Sequence, residues 1–389
     1  MLAAMRPLRP GPVLLAALAL GALAGGTLTG CASIAAGQAA ASTRAAGSTA
    51  TAAPAPDPAV PLTCADLVPE SLVASALAPA SGTPAAAAES DSTPQPAVQP
   101  NALFDAAVLE GLGGLDCSWR LGDPQAAIGS GLGDWSYLSL RVLPGAADRW
   151  VPVWAGDAPS EDVRDIGGVE ASTAAGETGW RLSAPVAGAW VQFEITAAGL
   201  TGTGSKYAGI SDGTMLDRLA AVAEPVFAAL ESATPEQAAW PRLELAPVEP
   251  TCTGDLDVAL LLVYLGYPAD TAVSYRARTP DAVAASLDDA IRADARVFTC
   301  VLLAGGHGVS EIAVARGFAP ESGVLDAPDG DVALDPLALP PGGDARAFIG
   351  PAMPNGGRTP VYLAAGGDLY EIWSDRSSAI ADGIVDARW

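Results

Sequence analysis

The chain has 389 residues, with 44 acidic side chains against 20 lysines and arginines and a formal charge of −24 at pH 7. A field this negative excludes nucleic acid as a partner, because neutralising phosphates needs basic stripes. It also disfavours close contact with anionic lipid heads, and it keeps molecules apart in solution. There is one lysine, Lys206, and one histidine, His307, while half the residues are hydrophobic, enough for large cores.

In chain order, Arg6 and Arg9 form a short positive region, followed from Val13 to Leu28 by an almost wholly apolar or small run. This is the pattern of an export signal. A spanning helix needs about 20 apolar residues, and this run is shorter and rich in Gly and Ala. It ends in Leu28-Thr29-Gly30-Cys31, which resembles the bacterial lipobox. The resemblance implies cleavage before Cys31 and a diacylglyceryl group on its sulfur, an acyl anchor that holds the protein at the outer face of the cytoplasmic membrane. Residues 1–30 are then a signal peptide, whose removal takes the formal charge to −26. Residues 31–60, rich in Ala, Ser, Thr, Gly and Pro, are expected to be a flexible tether, since they lack apolar surface to offset ordering entropy.

The remaining cysteines are Cys64, Cys117, Cys252 and Cys300. An even number in an exported chain points to two disulfides. Three pairings are possible, and spacings of 53 and 48 residues favour Cys64–Cys117 and Cys252–Cys300. Pro61-Leu62-Thr63-Cys64 is echoed by Glu249-Pro250-Thr251-Cys252. Each opens a helical stretch, 66–77 and 255–265, with Asp66 and Asp255 placed as caps. The second cysteine of each pair falls in a strand-like run, 115–121 and 296–303. Alternation over 136–142 indicates a half-buried strand. Paired strand patterns follow, 179–182 with 190–195 and 360–363 with 369–373, and each half closes on an amphipathic helix, 214–230 and 377–387. This order predicts a duplication: two tandem α+β domains, 61–231 and 251–389, each a mostly antiparallel sheet with helices on one face. A disordered loop is expected over about 79–100, and a Pro-rich linker over 232–250.

Cys64 followed by a helix, then Cys117-Ser118-Trp119, is similar to small actinobacterial envelope lipoproteins of unknown function, and the bias to Ala, Gly, Asp and Arg fits such a genome. That similarity spans 61–231. The second half departs from it, since Val301 and Leu302 follow Cys300.

Chemistry-bearing residues are sparse. His307, in Gly305-Gly306-His307-Gly308, stands near Ser310, but no nucleophile elbow accompanies it; the expectation is an exposed turn histidine. One histidine and paired cysteines leave no ordinary zinc site. Lys206 follows Gly202-Thr203-Gly204-Ser205, which lacks phosphate-loop spacing and reads as a hairpin loop. Asp326, Asp329, Asp331 and Asp335 crowd one loop and are calcium candidates, although their order is not that of a calcium-binding loop. Glu194 and Glu371 occupy corresponding strands, and alternation places both toward solvent. Of Trp135, Trp150, Trp154, Trp180 and Trp190, most are expected to be core. No cofactor is called for. The expectation is a lipid-anchored, non-enzymatic binding module for an envelope protein or a small ligand held between the halves; the alternative is an envelope hydrolase using carboxylates or a bound calcium. An acidic cleft with raised carboxylate pKa values favours the second reading, and an exposed apolar patch favours the first.

Overall fold

The computed structural model describes residues 60–80, 93–125, 133–245, 251–268, 270–278, 283–319, 334–341, 343–351 and 358–389. The first half contains α1 (Cys64–Leu67), α2 (Glu70–Ala76), β1 (Gln95–Pro96), α3 (Leu103–Gly111), β2 (Leu115–Gly122) and β3 (Trp135–Leu143). It continues with β4 (Trp154–Ala155), β5 (Ala158–Pro159), β6 (Val163–Ile166), β7 (Val169–Ala175), β8 (Gly179–Val186), β9 (Ala189–Ala197) and α4 (Asp212–Ser232). The second half contains α5 (Cys252–Asp255), α6 (Val258–Tyr264), β10 (Val273–Arg278), α7 (Leu287–Asp294), β11 (Phe298–Ala304) and β12 (His307–Ala315). It closes with β13 (Asp335–Leu337), β14 (Arg346–Ile349), β15 (Thr359–Ala365), β16 (Asp368–Ser374) and a last helix, α8 (Ser377–Arg388).

Each half carries a seven-stranded antiparallel sheet. Their orders, β1-β2-β3-β9-β8-β7-β6 and β10-β11-β12-β16-β15-β14-β13, correspond strand for strand. The disulfides Cys64–Cys117 and Cys252–Cys300 are both formed, with Cα–Cα distances of 5.6 and 5.7 Å. They fix a common register. The row Cys117–Leu140–Phe193–Leu182 in one sheet matches Cys300–Ile312–Ile372–Val361 in the other.

Those rows face the closing helices. Met215, Leu219, Val222, Val226 and Leu230 recur at helical spacing along α4 and are buried over the first sheet, where the Phe193 and Phe227 rings lie 6.0 Å apart. Ile380 and Ile384 of α8 cover the second sheet in the same way. Each such side chain contributes roughly 1.5–3 kcal/mol by leaving water. Capping differs from the sequence expectation. Thr63 caps α1, and Asp66 returns the bond from the third helical position, a capping box. Thr251 likewise caps α5, while Asp255 accepts from the Thr251 N–H.

Besides these outer helices, α3 and α7 lie on the opposite side of the sheets, between the two halves. Phe104 and Val108 of α3, Leu287 and Ile291 of α7, Trp190 of β9 and Leu369 of β16 belong to one continuous apolar cluster. Trp190 and Leu369 each stand three residues before the matched Phe193 and Ile372, so equivalent positions meet at the interface. Gly111, at the end of α3, lets Phe318 approach so closely that a Cβ would stand 2.5 Å from its ring. Asp57–Trp389 accordingly coheres as one compact unit.

Two connecting segments are more ordered than their composition suggests. Of the loop expected over 79–100, residues 81–92 lie outside the described residues, but Gln95 and Pro96 pair with β2, and the Pro100 carbonyl accepts from the Tyr362 hydroxyl at 3.0 Å. Of the 232–250 segment, residues 246–250 lie outside the described residues, but Trp240 donates to the Leu62 carbonyl at 2.7 Å and the Leu243 N–H to the Gly111 carbonyl at 2.8 Å. The apolar side chains in each stretch find a surface between the halves, which outweighs the surrounding Pro and Ala.

Candidate functional site

On the face of the first sheet opposite α4, the odd residues of β3 and the even residues of β2 and β9 point the same way. Pairing sets Asp116 beside Arg141, and then Ser118 beside Ser139 and Glu194. This polar face forms the floor of a cleft with a volume of about 470 Å³. Gln99, Asn101 and Asp105 border it from the start of α3, Glu177, Thr178 and Arg181 from the β7–β8 hairpin, and Asp288 from α7 of the second half. Gln125, Trp135 and Thr196 line its other end.

Ion pairs fix most of the charge. Arg141 bonds to Asp288 across the halves. Arg181 Nε reaches Glu194 Oε1 at 3.0 Å. Arg292 of α7 grips Asp105 with two bonds, of 2.7 and 3.0 Å, and reaches Glu371 at 3.3 Å. Asp116 is different: among the described residues, no hydrogen bond reaches its carboxylate. Burial, only partly countered by Arg141 and reinforced by Asp288 and Asp105, pushes its pKa up to about 6. Burial raises Asp105 also, despite Arg292. Asp288 is held below the usual carboxylate range because Arg141, Arg292 and Arg181 outweigh its burial.

Among the described residues, three buried side-chain oxygens in the cleft lack hydrogen-bond partners: Ser118 Oγ, Gln125 Oε1 and Thr196 Oγ1. Gln125 and Thr196 are 4% and 5% exposed. An orphaned buried polar atom costs about 1–3 kcal/mol, so three at the wall of one cavity suit a hydrogen-bonding occupant. A larger hollow of about 920 Å³ lies in the second half beside Asp255 and Arg316. It is more open, and its guanidiniums are committed, Arg316 to Asp255 and Arg388 to Asp368.

His307 is exposed at the β11–β12 turn and Ser310 is buried, so no catalytic pair is assembled there. Lys206 does not sit in an open hairpin loop. It is 9% exposed and its ammonium clips the ends of β2 and β3 through Leu121 O, Asp134 O and Asp134 Oδ1. Gly122 permits that closure, with φ of +89° and no room for a Cβ against the Asp134 carbonyl. Glu194 and Glu371 do not face solvent: both point toward the other half, and Glu371 is 6% exposed. Burial, offset by Arg292, pushes Glu371 up to about 7. In the common register Glu371 matches Gln192 instead of Glu194, so the two are not equivalent. Trp135, Trp180 and Trp190 are buried, Trp150 is half-buried, and Trp154 is exposed with its N–H donating to Ala285 O at 2.6 Å. Cys31, Asp326, Asp329 and Asp331 lie outside the described residues, and Asp335 is exposed at the start of β13. Among the described residues, no three His, Cys, Asp or Glu side chains group as a metal's ligands would. Asp116, Arg141 and Asp288, which shape the cleft, carry no motif; the polar positions of the β3 alternation were the available signal.

No protein-family model, no curated protein and no solved structure matches the chain.

Proposed function

We propose that this is a lipid-anchored envelope protein whose folded part binds a small polar ligand in the cleft between β2, β3, β9 and α7. The observation that carries this reading is the set of orphaned oxygens on Ser118, Gln125 and Thr196, gathered in one cavity. The lipobox at Cys31, two disulfides, and the finding that no described helix is long and apolar enough to cross a membrane support the extracytoplasmic, acyl-tethered placement. The test is a thermal-shift panel of small amines, sugars and carboxylates on the wild type and on Ser139→Trp, which fills the cleft. Shifts confined to the wild type are expected; shifts equal in both proteins, or none, defeat the reading. For the anchor, Cys31→Ala should move the protein from the detergent phase to the aqueous phase, and unchanged partitioning defeats lipidation.

A second reading, an envelope hydrolase, is favoured by the opposite shifts of Asp116 and Asp288, a pattern seen where two carboxylates divide acid and base roles. It is the weaker one, because Asp288 is tied to Arg141 and Asp105 to Arg292. Turnover of a glycoside or ester by the wild type, lost in Asp116→Asn, would establish it.

A further inference from the structure

We propose that the cleft takes an extended primary-ammonium compound, with Asp116 holding the ammonium and Gln125, Thr196 and Trp135 receiving the far end. This rests on the cleft being the ligand site.

The charges at the wall select the class of ligand. Among the described residues, Arg141 and Arg181 are the cations lining the cleft, and both are already bonded, to Asp288 and Glu194. An anionic ligand therefore finds no uncommitted guanidinium and meets an acidic lining. A neutral ligand leaves the Asp116 charge only partly countered by Arg141, whose hydrogen bond goes to Asp288. An ammonium supplies the missing charge and three donors at the Asp116 end, where Ser118, two residues along β2, can accept, while the orphaned oxygens of Gln125 and Thr196 can accept from donors at the far end. A divalent metal ion is disfavoured by geometry, since no three carboxylates among the described residues group as ligands.

Pairing sets the length. Asp116 stands opposite Arg141, and Thr196 opposite Tyr137, four residues along β3. At about 3.3 Å per residue along the strands and about 4.8 Å per strand across β3, the two ends are roughly 16 Å apart, so a compact amine fills one end and an extended one spans both.

The experiment is calorimetric titration of the full chain with cadaverine, spermidine and glucosamine, each against its counterpart acetylated at every nitrogen. The free amines are expected to bind, and acetylation at the anchored nitrogen should weaken binding at least about tenfold. Asp116→Asn should weaken amine binding by a similar factor while retaining the wild-type circular dichroism spectrum. Affinity should also fall below pH 6, as Asp116 takes up a proton in the field of Asp105 on α3, Arg141 on β3 and Asp288 on α7. Equal binding of amines and acetylated forms, blocked by Ser139→Trp, would overturn the ammonium assignment and leave the cleft reading standing. Amine binding unaffected by Asp116→Asn would overturn it too. If neither series binds, the ammonium assignment falls, and the cleft reading is then decided by the sugars and carboxylates of the thermal-shift panel.

Discussion

Arg292, on α7 of the second half, donates to both carboxylate oxygens of Asp105, on α3 of the first half, at 2.7 and 3.0 Å. The same guanidinium lies 5.3 Å from the Phe104 ring and reaches Glu371. It thus joins two helices and a sheet at the point where the halves meet. Removing one partner of a buried pair leaves an uncompensated charge. Arg292→Met should therefore destabilise the protein by about 3 kcal/mol in urea unfolding at pH 7. A loss below about 1 kcal/mol would mean that water screens Asp105 and Glu371.

The shared apolar cluster predicts cooperative unfolding. Phe104 is 1% exposed in a core built from both halves, and Phe104→Ala should cost about 3–5 kcal/mol. Calorimetry should show one transition in the wild type. Two transitions would mean that the halves fold separately and only touch.

Stability should depend on pH in a defined direction. Asp116 and Glu371 are raised from ordinary values of 3.8 and 4.5 to about 6 and about 7. The folded state then binds more protons than the unfolded state, so stability falls as pH rises from 5 to 7.5. Asp288 and Asp66, held low, are ionised in both states across that window and add nothing. Asp116→Asn should flatten the slope and raise Tm at pH 7.5. A Tm that is level or climbs with pH counts against buried, poorly compensated carboxylates.

The second disulfide closes a loop of 48 residues, a constraint worth about 4 kcal/mol on the chain-entropy account. The double variant Cys252→Ala, Cys300→Ala should lose stability of that order, and peptide maps without reductant should join Cys252 to Cys300. A Cys117–Cys252 peptide would contradict the matched registers of the two sheets.

Much of the scaffold was legible in the sequence where one face of an element meets a core and the other meets polar surroundings. The closing helices α4 and α8, the β8–β9 and β15–β16 pairs and both disulfides fall in this class. Helix α3 did not, because Leu103, Phe104, Ala106, Ala107, Val108, Leu109 and Gly111 are all buried between the halves, which leaves no polar stripe to give a helical period. Helix α7 is short, with acidic residues that read as surface. The polar positions of β3 and β9 were visible, but alternation alone cannot tell solvent from a second half, so Glu194 and Glu371 were expected outside. The cleft was not legible for a further reason: Asp116, Arg141 and Asp288 come together only through tertiary packing.

The cleft between Asp116 and Trp135 is the proposed seat of a polar ligand. The most direct test is a crystal structure of the protein grown with the tightest-binding member of the amine and sugar panel. Density is expected in the cleft, within hydrogen-bond distance of Asp116 and of at least one of Ser118, Gln125 and Thr196, as a ligand site there requires. Density only in the open hollow beside Asp255 and Arg316, or an unoccupied cleft at saturating concentration, would contradict it.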